Sequence, residues 1–90
     1  MTRVHVIVHG RVQGVGFRWF VREAARRRAL AGWVRNNGDG TVEVCAEGSD
    51  ADCSWLLSEL RRGPQGAFVS DLREMPPGTD ALPSPFAVLK

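Results

Sequence analysis

The chain has 90 residues, 43% hydrophobic and 24% charged, with 10 Gly, 5 Pro and a formal net charge of +2. That length holds a single domain over residues 1–90, and folding it buries roughly 64% of the unfolded surface, enough for one modest core but not for a lid or an interlobe cleft. The weak net charge gives little pull on nucleic acid or membrane, no apolar run approaches the ~18 residues that span a bilayer, and residues 1–5 lack a secretory pattern, so a cytoplasmic address is expected.

Eleven of the twelve basic residues are arginines, with Lys90 the exception. A uniform preference of that kind tracks base composition, so only an arginine in a special position is informative. Cys45 and Cys53 show no Cys-x-x-Cys spacing and no accompanying His pair, which leaves neither a zinc nor a redox motif; both read as buried thiols.

Val4, Val6 and Val8 alternate with His5, Ile7 and His9, the two-residue period of a half-buried strand. His5 and His9 share a face about 13 Å apart at 3.3 Å per residue, too far for one metal ion. Both read as structural, with His9, beside the following loop, the only candidate for a phosphohistidine. Residues 10–16 read as a loop. A helix follows with Phe17, Phe20, Val21, Ala24 and Ala25 on one face and Arg18, Arg22 and Arg26 stacked on another; it runs out near Leu30, with Gly32 as its stop. Arg26, Arg27 and Arg28 read as a solvated face, with Glu23 pairing three and four residues ahead. Residues 32–36 and 41–46 read as two strands joined by a turn at Asn37-Gly38-Asp39-Gly40, residue types that tolerate positive φ.

Ser49 opens a second helix, with Asp52 at the capping-box position. Cys53, Leu56, Leu57 and Leu60 form its apolar stripe, and Gly63-Pro64 ends it. Residues 67–72 are expected as a fourth strand, Ala67, Val69 and Asp71 on one face and Phe68 and Leu72 on the other. Residues 76–85 read as an irregular connection and residues 86–89 as a last strand. The order predicts an α/β (α+β) fold, a ferredoxin-like βαββαβ sandwich with two helices on one face of an antiparallel sheet and an added strand.

The informative segment is Gly10-Arg11-Val12-Gln13-Gly14-Val15-Gly16-Phe17-Arg18. Glycines let successive N–H groups turn inward as an anion-binding nest, and a helix N-terminus adds unpaired N–H groups and partial positive charge. Arg18, in the first turn, can set its fork on the same anion. On the glycines alone, a plain strand-to-helix turn with a solvent-facing arginine is the simpler reading. Two nucleotide signatures fail: the third glycine of a dinucleotide fingerprint is missing, and so is the Gly-Lys-Ser/Thr of an ATP-binding loop. Residues 10–18 hold no Ser, Thr, Cys, Asp or Glu, hence no nucleophile or general base, and no carboxylate cluster suggests a metal. Such a site suits a phosphoryl group that is already activated. In an acyl phosphate the leaving carboxylate, with a pKa of about 4, departs without a proton, and the protein need only neutralise charge and orient a water.

The segment from Gly10 to Arg18 is similar to the signature of the acylphosphatase family, and Gly32-Trp33-Val34-Arg35-Asn36 with Asp39-Gly40-Thr41-Val42-Glu43 resembles its second signature. Gly63-Pro64 with Ala67 and Val69 resembles the segment after the second helix, and Phe86-Ala87-Val88 the closing strand, so the resemblance runs in order over nearly the whole chain. It implies a ferredoxin-like enzyme that hydrolyses the carboxyl–phosphate bond without metal or cofactor, releasing carboxylate and inorganic phosphate. It further implies that Arg18 binds the phosphate and Asn36 holds the attacking water. The N–H groups of Arg11, Val12, Gln13, Gly14 and Val15, with Gly16, would form the cradle. A monomer acting on a small-molecule acyl phosphate, without nucleic-acid or membrane partners, is the expectation. Val88-Leu89-Lys90 departs from the Ile-Arg common in the family, which touches packing or fine positioning.

Asn36 has a physical reading beside this one. An amide can donate to phosphate and accept from water, but taken alone Asn36 reads as a turn former, as Asn37 does. An RNA-reading module of the same fold is opposed by the lack of aromatics in residues 4–9 and 41–46, where bases would stack. A catalytically silent domain that only positions a partner is opposed by the presence of Arg18 and Asn36.

Overall fold

Val4, Val6 and Val8 are buried and alternate with half-buried His5, Ile7 and His9 along β1 (Thr2–Arg11), in a computed structural model that describes residues 1–90. The remaining elements are α1 (Phe17–Arg27), β2 (Ala31–Asn36), β3 (Val42–Gly48), α2 (Asp50–Arg62), β4 (Phe68–Glu74) and β5 (Ala87–Val88). The sheet order is β4-β1-β3-β2-β5. One face carries both helices, and the core lies between: Phe17, Val21, Ala24 and Ala25 of α1 and Cys53, Leu56 and Leu60 of α2 pack on the valines of β1 and β3, with Phe86 closing one end. Ser49 caps α2 as its sequence predicts, its hydroxyl accepting from the Asp52 N–H at 3.1 Å. Both cysteines are buried, and desolvation pushes their thiols up. No helix is long and apolar enough to cross a membrane.

Four expectations need correction. The sheet is mixed, because β5 runs parallel to β2, pairing Trp33 with Ala87 and Val34 with Val88; the other pairings are antiparallel. The first helix stops at Arg27, where Ala29 takes the left-handed conformation at φ 53°. Gly32 is not its stop but lies within β2, at φ 143°, where an added Cβ would sit 2.0 Å from the Cys45 carbonyl oxygen. Leu72 faces the core together with Ala67 and Val69, because the β1–β4 register shifts at His9/Gly10 and leaves Ser70 as the extra residue of a bulge. Lastly, Glu23 pairs with Arg22 and not forward along the helix; Arg26 donates to the Phe86 carbonyl at 3.0 Å and Arg28 to Asp52 at 3.1 Å.

Candidate active site

Three pieces of chain meet at the N-terminal end of α1. β1 extends to Arg11, so the connecting loop is short; β3 pairs with β1 as far as Val8, and β4 alone pairs with it on to Arg11. Gly14 and Gly16 take positive φ, 77° and 76°, which turns the chain sharply into the helix. Gly16 is the N-cap of α1; it offers no side-chain acceptor, and no acidic residue stands in the first turn. α2 differs on both counts, with the Ser49 hydroxyl as cap and Asp50 and Asp52 in its first turn. Of the two helices, only α1 leaves its N-terminal N–H groups and partial positive charge open to an outside anion.

A cavity of about 530 Å³ opens at this helix end. Val12, Gly14 and Gly16 of the loop, Arg18 of α1 and Asn36 at the end of β2 all line it. Its wall contains no acidic, histidine, cysteine, serine or threonine side chain. Arg18 forms no ion pair within the fold, so its guanidinium is uncommitted. Asn36 has a buried Oδ1 with no hydrogen-bond partner, a costly state for an acceptor.

The turn role expected of an asparagine falls to its neighbour. The Asn37 N–H donates to the Thr41 carbonyl at 2.8 Å, and its Nδ2 donates to Thr41 Oγ1 at 3.0 Å. Asp39 accepts from both the N–H and the hydroxyl of Thr41, and the hydroxyl bond chiefly holds its carboxyl below the usual carboxylate range. With the turn closed by Asn37, Asp39 and Thr41, Asn36 is left free to face the cavity.

Not every residue expected in the cradle lines it. Arg11 pairs with Phe68 at the end of β1 and is exposed. Val15 packs on the core. Gln13 turns its side chain the other way, to the β2–β3 turn, where Nε2 donates to the carbonyls of Asn37 and Thr41. His9, the phosphohistidine candidate, is outside the cavity and faces Asp71 across the β1–β4 pair. In the other direction, Trp19, Arg22, Val88 and Lys90 also line the cavity, a place the sequence reading does not assign to them. The i, i+4 spacing of Arg18 and Arg22 was a usable signal; Val88 and Lys90 depend on the pairing of β5, which leaves no local trace.

The helix-free face of the sheet carries a separate polar cluster. Glu43 meets His5 Nε2 at 2.5 Å and Arg35 Nη2 at 2.9 Å, while Trp33 packs edge-on to the His5 ring. Burial alone would raise the Glu43 carboxyl, but hydrogen bonds from His5, Arg35 and Asn37 outweigh it and hold the group below its ordinary value.

The family model described as acylphosphatase matches residues 4–86. An acylphosphatase of Geobacillus thermodenitrificans is 54% identical over 70 residues, covering 78% of this chain and 74% of the relative. One of Rhizobium etli is 42% identical over 85 residues, covering 94% and 90%. Among solved structures, the crystal structure of acylphosphatase from Bacillus subtilis superposes with a TM-score of 0.91 at 36% identity, covering 100% of both chains. The two glycine-bearing signatures, the mixed five-stranded sheet and these matches agree: the chain belongs to the acylphosphatase family.

Proposed function

We propose that the cavity at the start of α1 is where this chain hydrolyses acyl phosphates, by direct attack of a water that Asn36 holds on a phosphoryl group that Arg18 binds. One observation carries the reading: Arg18 and Asn36 line the same cavity, at the one helix N-terminus left without a side-chain cap or an acid. The phosphoryl oxygens sit against the N–H groups after Gly14 and the Arg18 fork, where negative charge is stabilised without a metal. The Asn36 amide holds the water and sets its oxygen toward phosphorus. As the water oxygen bonds to phosphorus, the bond from phosphorus to the acyl oxygen breaks and the carboxylate leaves with the electron pair. The water proton ends on the phosphate product. No general acid is required, because the leaving carboxylate, with a conjugate-acid pKa of about 4, departs without taking a proton. A single chain acting in the cytoplasm on a small diffusible substrate completes the reading.

The test is hydrolysis of an aryl acyl phosphate in excess chelator, with Arg18→Ala alongside. Wild type should turn over at full rate. The variant should lose about 10²-fold or more in kcat/KM and bind inorganic phosphate more weakly. A requirement for divalent metal, or undiminished phosphate binding in Arg18→Ala, would sink the proposal.

A further inference from the structure

We propose that Trp19 is the platform for the acyl group and that it favours acyl phosphates whose acyl group is aromatic or otherwise planar and apolar. The inference rests on the reading above that the phosphoryl group lies at Arg18. A cavity of about 530 Å³ is far larger than that group, which displaces roughly two or three waters at ~30 Å³ each. Much of the remaining wall is apolar side chain. Trp19 stands next to Arg18 in the chain, and Val88 comes from β5; they are 62% and 38% exposed. Exposed Phe68 and Met75 are also present elsewhere on the surface but line no part of this cavity.

Trp19 is also held in place. The Arg22 guanidinium lies 4.6 Å from its ring centroid, and Arg22 Nη1 is in turn fixed to Glu23 Oε2 at 2.5 Å. The cation–π contact restrains the ring, and the ion pair engages the Arg22 charge. What lies beside the phosphate site is therefore a restrained aromatic surface with a compensated cation, suited to stacking a flat acyl group. The stacking contact is with the ring of the acyl group and not with the carboxyl oxygen that takes the electron pair, so this contact is equal in ground and transition states. It acts on KM and leaves kcat alone.

Steady-state kinetics of wild type, Trp19→Ala and Trp19→Phe with benzoyl phosphate and acetyl phosphate test this, with inorganic phosphate as a competitive inhibitor. Wild type should show the lower KM for benzoyl phosphate. Trp19→Ala should raise that KM about 3- to 10-fold with kcat unchanged, and should leave acetyl phosphate and phosphate inhibition within about twofold. Trp19→Phe should keep most of the preference. An equal change for both substrates, or none for benzoyl phosphate, overturns the inference. Retained phosphate inhibition in each Trp19 variant reports a folded site. If Arg18→Ala also kept that inhibition, the placement of the phosphoryl group would fall instead, so the two failures are read apart.

Discussion

Gln13, in the loop between β1 and α1, is tied to the β2–β3 turn by a hydrogen bond from its Nε2 to the Asn37 carbonyl, at 2.8 Å. A second, at 2.9 Å, reaches the Thr41 carbonyl. Asn37 follows Asn36 directly, so this one side chain ties the loop proposed to hold phosphate to the neighbour of the residue proposed to hold water. Gln13→Leu should lower kcat by about 10- to 100-fold, the scale on which a shift near 1 Å degrades a reacting geometry. Inhibition by inorganic phosphate should stay within about threefold, since the amides that bind it remain. Parallel measurement of kcat and phosphate inhibition checks this; an equal loss in both would make Gln13 part of the cradle itself.

Asn36→Ala separates chemistry from binding. Turnover should drop about 10²-fold, while phosphate inhibition is nearly unchanged. Stability should stay level or rise by up to about 1 kcal/mol, because the change deletes a buried acceptor that has no partner. Urea melts beside the kinetics decide it. A fall in stability would mark Asn36 as a structural residue.

Two glycines fail for different reasons when replaced by alanine. At Gly14 nothing lies within 4 Å of an added Cβ, but φ is 77°. Gly14→Ala should therefore cost about 1–2 kcal/mol and weaken phosphate binding by deforming the loop. At Gly32 the Cβ would meet the Cys45 carbonyl oxygen at 2.0 Å, so Gly32→Ala should cost about 3 kcal/mol or more by forcing β2 from β3. Denaturant midpoints for the pair give the ranking.

Glu43 makes stability depend on acid. Its carboxyl sits below the ordinary value of 4.5 in the folded chain, so the unfolded chain takes up the proton first as pH falls. The associated stability is whole above the unfolded value and is lost as pH drops below about 4.5 through the folded one. Urea midpoints between pH 6 and 3 should fall more steeply in wild type than in Glu43→Gln. Parallel curves would refute the assignment.

What could be read from sequence was local. The period of Val4, Val6 and Val8, the turn at Asn37-Gly38-Asp39-Gly40, the Ser49 cap and the position of Arg18 each depend on a few adjacent residues, and each holds in the fold. The parallel pairing of β5 escaped because a two-residue strand has no period, and with it went the place of Val88 and Lys90 in the cavity wall. The Ser70 bulge escaped because it is a property of the β1–β4 register, which turns Leu72 inward. Gln13 lies in the recognised loop, yet its partners are 24 and 28 residues away. Which way that amide points is decided by where the hairpin comes to rest.

β1 has β3 on one side and β4 on the other. At the start of the loop only the β4 ladder remains, with Gly10 on Val69 and Arg11 on Phe68, while the β3 ladder ends at Val8; an opening there breaks one edge of the sheet and costs less than global unfolding. On the proposed reading the loop can loosen along this single edge without the rest of the domain opening, and part of the binding energy of an arriving phosphate would go into ordering it.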